Sequence, residues 1–169
     1  MYQSINEFLA DWGQEQALTL KVLETLTDAS LKQAVSDAQP RTLGDLGWHL
    51  VGGIGAMFGA AGVQIEDPDY TSPTPTSADE IVDGYRRMSE AAATALKQQW
   101  TDAKLSESLL LFSFMNTTYG GFLNMVVRHQ IHHRGQMTIL MRQAGLIPPG
   151  VYGPNEEESA AMRAAHQQK

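Results

Sequence analysis

At 169 residues, 43% of them hydrophobic, the chain is long enough to close one hydrophobic core and fits a single domain, 1–169. It has no cysteine, which excludes disulfides, thiolate metal ligands and a cysteine nucleophile and leaves nitrogen and oxygen as the donors for any metal. The net charge of −7, with twelve Lys and Arg scattered along the sequence, argues against nucleic acid and against an anionic membrane as partners.

The opening MYQSINEFLADWGQEQ has neither the basic start nor the apolar run of a signal peptide. No segment approaches the roughly 18 apolar residues of a membrane span, so a soluble, cytoplasmic protein is expected. SINE reads as a Ser-x-x-Glu capping box, and Ile5, Phe8, Leu9, Trp12, Leu20 and Leu23 follow at mostly helical intervals, predicting a long amphipathic helix over 4–27. DASLKQAVSDAQP reads as a weak helical turn and a loop closed by Pro40. A second helix starts at Thr42 as N-cap, with Leu46, His49, Leu50, Gly53 and Met57 on one side; its many glycines are poor helix formers and suggest close helix contact.

EDPDYTSPTPTS, residues 66–77, has the composition of a surface loop and ends in a second capping box, SADE. Ile81, Tyr85, Met88, Ala92 and Leu96 then mark a third helix to about Trp100. LLLFSFM suggests an extended connector, with Thr117 or Thr118 capping a fourth helix that runs to Ala144 and stops at Gly145. The tail 154–169 suggests a short peripheral helix outside a core of about 5–153, and no internal repeat of fixed period is visible. Four principal helices without a confident strand pattern predict an all-α bundle.

VVRHQIHHRGQ, residues 126–136, holds three of the five histidines. With His129 at the origin of a helical wheel, His133, Phe122, Val126 and Leu140 fall within about 60° of it, whereas Arg128, Arg134 and Arg142 lie on the far, solvent side. His132 falls at the edge of the stripe. His129 and His133 therefore face the core together, at the i, i+4 spacing that lets two imidazoles share a metal. His49, on its own apolar stripe, is the candidate third ligand, and Asp45 one turn earlier is placed to fix its tautomer. A single core histidine is more often a hydrogen-bonded scaffold residue than a ligand. Two neighbouring buried imidazoles are harder to satisfy without a metal. HQIHH also overlays the H-E-x-x-H peptidase pattern, but Gln130 stands where the general base would be, which excludes that mechanism.

HQIHHRGQMTILMRQAGLIPPGVYG, with TLGDLGWHL before it, resembles the DinB-like family, also called the YfiT-like metalloenzyme family, over about residues 5–153. The resemblance implies a four-helix bundle of the DinB/YfiT-like type, usually a homodimer, with a divalent metal held by His49 of the second helix and His129 and His133 of the last. It further implies a small-molecule substrate and either thiol transfer with a low-molecular-weight thiol as cosubstrate or metal-dependent hydrolysis, zinc or nickel being the foremost ions. The alternative is a non-catalytic, stress-associated dimeric bundle with a structural metal. Tyr119 and Gln136, both near the inward stripe, are candidate catalytic or substrate-contacting groups, with hydrogen-bonded scaffold as the competing reading. Arg134 is expected to form a salt bridge to another helix or subunit, and Trp48 to help form a pocket wall or a dimer contact.

Overall fold

The computed structural model describes residues 2–65 and 72–167. Part of the expected loop at 66–77, residues 66–71, lies outside the described residues. The first helix, α1 (Ile5–Leu23), begins as SINE suggests: the Ser4 side chain accepts the Glu7 backbone N–H at 3.1 Å, while the Glu7 carboxylate accepts from Gln3. It ends four residues short of the expected limit, because 3₁₀-type bonds at Thr25 and Leu26 turn the chain and send Leu26 and Leu31 into the core. A 3₁₀ turn (Ser30–Lys32) leads to a hairpin of β1 (Ala34–Ser36) and β2 (Gln39–Thr42). Pro40 lies within β2 instead of closing a loop, which a two-stranded ribbon allows because each strand has a free edge.

Thr42 ends that hairpin and caps α2 (Leu43–Ala60), with Asp45 completing a reciprocal capping box: the Thr42 hydroxyl accepts from Asp45 N–H and the Asp45 carboxylate accepts from Thr42 N–H. The next helix, α3 (Ala78–Gln99), runs as expected to Trp100, but its N-cap Ser77 makes no side-chain cap bond. The Ala78 N–H donates instead to Asp28 across the fold at 2.8 Å. A second 3₁₀ turn (Asp102–Ser106) and a second hairpin, β3 (Ser108–Leu111) with β4 (Met115–Thr118), lead to α4 (Tyr119–Gln143), capped by Thr118. Gly145 closes α4 at φ +79°, and the Leu146 N–H returns to the Met141 carbonyl, the six-to-one bond of a Schellman end. The short α5 (Glu156–Gln167) buries no residue and is held to α4 by a two-pronged Arg142–Glu157 pair.

The fold is thus mostly helical, and the expectation of an all-α chain is corrected by the two small antiparallel hairpins. Their strands were hard to read because β1 and β2 are short, polar and interrupted by proline. The α1 and α2 helices each pack on both α3 and α4. Phe8, Trp12, Leu50, Ile54, Phe58, Tyr85, Phe122 and Met141 fill the space between them with almost no exposure. The element order helix, 3₁₀ turn, hairpin, helix occurs twice, as α1 to α2 and as α3 to α4, although no sequence period announces it. Among the described residues, no helix is long and apolar enough to cross a membrane.

Candidate metal centre

Each helix carrying the histidines starts at a threonine that also ends a hairpin, so hairpin and helix are fixed to each other at Thr42 and at Thr118. His49 lies in the second turn of α2, and His129 and His133 lie on the face of α4 that packs against it. The three rings converge. Their centroids are 5.0 Å apart for His49 and His129, and 4.5 Å for each of these with His133. One ring nitrogen from each lies within 4.8 Å of the others, and the His49 and His129 Nε2 atoms are 3.1 Å apart. Two nitrogens each about 2.0–2.1 Å from one ion and adjacent around it stand about 3 Å apart, so the pair already has the spacing of shared ligands.

The surroundings suit neutral donors. Burial first, then the charge of Arg41 and the neighbouring His133, hold His49 down to about 4. Burial, then His133, His49, His132 and Arg41, do the same for His129, also to about 4. Burial lowers His133 as well, opposed in part by its bond to Gln136. That bond, His133 Nδ1 to Gln136 Oε1 at 2.7 Å, makes Nδ1 the protonated nitrogen and leaves Nε2 with its lone pair free for a metal. His129 Nδ1 is buried without a hydrogen-bond partner, so the ring is oriented by packing: a Cβ on Gly53 would sit 2.9 Å from His129 Cε1. The bare hydrogen of Gly53 is what admits the imidazole against α2.

The pH dependence follows in sign. The folded values lie below the unfolded value of about 6.5, so the unfolded chain takes up protons first on acidification. The neutral cluster's contribution to stability is complete above about pH 6.5 and is lost as pH falls through about 4. The Tm of the metal-free protein is therefore expected to fall between these limits more steeply than that of a His49→Gln/His129→Gln variant. Equal slopes would contradict the neutral cluster.

Several expectations are redrawn. Asp45 does not reach His49; its carboxylate accepts from Thr42 and from the Thr74 hydroxyl at 2.8 Å. Tyr119 is not brought to the histidines: it precedes His129 by ten residues, about 15 Å along the helix, with its ring edge-on to Trp100 at 4.7 Å and under Lys104. Gln136 is brought there, holding His133. His132 is exposed beside His133. Trp48 packs over Gly84 of α3 and donates to the Ser72 carbonyl. Gln130 faces the core and accepts from the Tyr85 hydroxyl at 3.1 Å. Arg134, placed on the solvent side by the wheel, is only 2% exposed and pairs with Glu15 of α1 at 2.6 Å. The salt bridge between helices was expected; its burial was not. Sequence reasoning overlooked Arg41, a lone basic residue after Pro40 with no motif around it.

The fold and the cluster together define a mostly helical protein with a three-histidine site able to hold a metal between two helices. The DinB family model matches residues 1–169, and the chain belongs to the DinB family. It is 45% identical over 160 residues to the uncharacterised protein YrdA of Bacillus subtilis (strain 168), covering 95% of both chains. A crystal structure of a DinB-like protein from Bacillus cereus ATCC 10987 superposes with a TM-score of 0.83 at 43% identity, over 90% of this chain and 100% of that one. The DinB-like protein YjoA of Bacillus subtilis gives 0.66 at 16% identity, over 88% of this chain and 99% of that one, a likeness of fold alone.

Proposed function

We propose that the chain is a metal-dependent enzyme in which His49, His129 and His133 hold one divalent ion, zinc or nickel foremost, and a thiol or water becomes the nucleophile of an S-transfer or a hydrolysis. The observation that carries this reading is the number of donors. Three imidazoles converge, and among the described residues no fourth histidine, cysteine or carboxylate joins the group. Three protein ligands with a position left over is the pattern of catalytic sites, whereas structural sites close with four.

An ion bound there supplies Lewis acidity, lowering the pKa of a thiol or water and polarising a carbonyl beside it. The chain's own residues hold the donors ready. Burial keeps the imidazoles uncharged, Gln136 fixes the ring and tautomer of His133, and the cleft at Gly53 fixes the ring of His129. A small-molecule substrate, a low-molecular-weight thiol as cosubstrate and a homodimeric assembly belong to the same proposal and are supported by membership of the family.

Protein purified without an affinity tag is expected to take up about one equivalent of zinc or nickel per chain, with a rise in Tm. It is expected to turn over at least one member of a panel of thiols with electrophiles, or of esters, and to lose that turnover in His49→Ala. Metal uptake with no turnover leaves the non-catalytic bundle with a structural metal. No uptake after equimolar addition ends both readings.

A further inference from the structure

Beside the histidines lies a cavity of about 260 Å³ whose wall includes Gln136, the residue that holds His133. This is close to the lower end of small-molecule sites, about 300–1,000 Å³. Val35 and Leu46 face it from the first hairpin and α2, Ile139 and Leu140 from α4, and a single cation, Arg41 of β2, stands in the same wall. Ile139 is 62% exposed and Val35 38%, so among the described residues nothing covers the apolar rim.

Arg41 is half-buried and forms no ion pair among the described residues. Asp45, four residues on, has its carboxylate committed to the Thr42 N–H and the Thr74 hydroxyl. The charge of Arg41 is felt through space at Asp45 and at the three imidazoles. A guanidinium at the edge of an apolar wall, with no ion pair among the described residues, presents a planar fork suited to a carboxylate. The lining holds one cation, which the single charge of a carboxylate balances and the double charge of a phosphate would exceed.

We propose that Arg41 and this cavity form the substrate subsite of the histidine centre and take a small carboxylate-bearing molecule, its carboxylate on Arg41 and its apolar body against Val35, Leu46, Ile139 and Leu140. Only the word substrate rests on the enzyme reading above. The binding itself needs no metal, which makes the two separable.

The test is an NMR titration of the full-length ¹⁵N-labelled protein with hexanoate, as purified and after EDTA treatment, with 1-hexanol as the neutral probe. Hexanoate is expected to bind both preparations, with shifts grouped around Arg41, Gln136 and Ile139. Arg41→Gln is expected to weaken hexanoate binding about 10–100-fold, the loss of a charge-assisted pair. Arg41→Lys is expected to recover part of it, and 1-hexanol to bind wild type and Arg41→Gln alike. Failure of hexanoate to bind wild type, equal affinity for wild type and Arg41→Gln, or loss of binding after EDTA would each overturn the subsite. If hexanoate binding depends on Arg41 in a protein that takes up no metal, the subsite stands and the enzyme reading falls.

Discussion

Arg134→Ala is expected to destabilise the protein by about 3–5 kcal/mol, a fall in Tm of about 6–20 °C for a domain of this size. The Arg134 guanidinium donates through Nη1 to the Glu15 carbonyl at 3.1 Å and the Thr19 hydroxyl at 3.0 Å. Through Nη2 it donates to the Glu15 carboxylate at 2.6 Å and the Tyr152 hydroxyl at 2.5 Å. The Tyr152 hydroxyl in turn donates to the same carboxylate at 2.7 Å. Glu15 is 6% exposed, so removing the arginine leaves a carboxylate in the core with only a phenol beside it. That stranded charge, more than the lost attraction, sets the size of the effect. Glu15→Leu/Arg134→Met, which removes both charges and keeps the volume, is expected to recover most of the loss in urea unfolding. If the alanine variant loses under about 1 kcal/mol, the guanidinium is not committed as described, since that is the range of exposed pairs.

The second large effect is on metal affinity. His129→Ala removes one of three donors and is expected to weaken zinc binding well beyond the roughly 10–100-fold that loss of a supporting hydrogen bond costs elsewhere. Gly53→Ala strikes the same ring without touching a ligand. The added methyl would meet His129 Cε1 at 2.9 Å and must turn the imidazole or push α2 from α4. It is expected to weaken zinc binding by about 10-fold or more while helix content stays intact, alanine being the better helix former by about 1 kcal/mol. Competition with a chromophoric chelator reads both variants. Wild-type affinity in Gly53→Ala would show that the ring is not positioned by this contact.

The histidines were legible in the sequence because their spacing and the apolar residues around them share one helical period. His129 and His133 fall on the stripe with Phe122, Val126 and Leu140, and the structure brings them to His49. Arg134 was misplaced for a physical reason. A wheel assigns one inward side, but α4 packs on α1 as well as α2, so the face opposite the histidines is also interior. Asp45 was read by its spacing to His49, while the same residue stands three places after Thr42, and the unsatisfied N–H groups of the helix start claimed it. The role of Gln136 could have been read from the His-x-x-Gln spacing, which sets two side chains side by side on a helix. Nothing in the short, polar strands beside Pro40 announces a hairpin, and so nothing marks Arg41 as part of a wall.

The repeated order of elements gives the histidine cluster a mechanical meaning. His49 belongs to the first run of helix, turn, hairpin and helix, and His129 and His133 belong to the second. An ion gathered among them would therefore tie the two runs to each other where α2 meets α4, acting as a clasp as well as a reagent. Its departure would remove one fastening from that contact and leave the buried side chains between the helices to hold the two runs together.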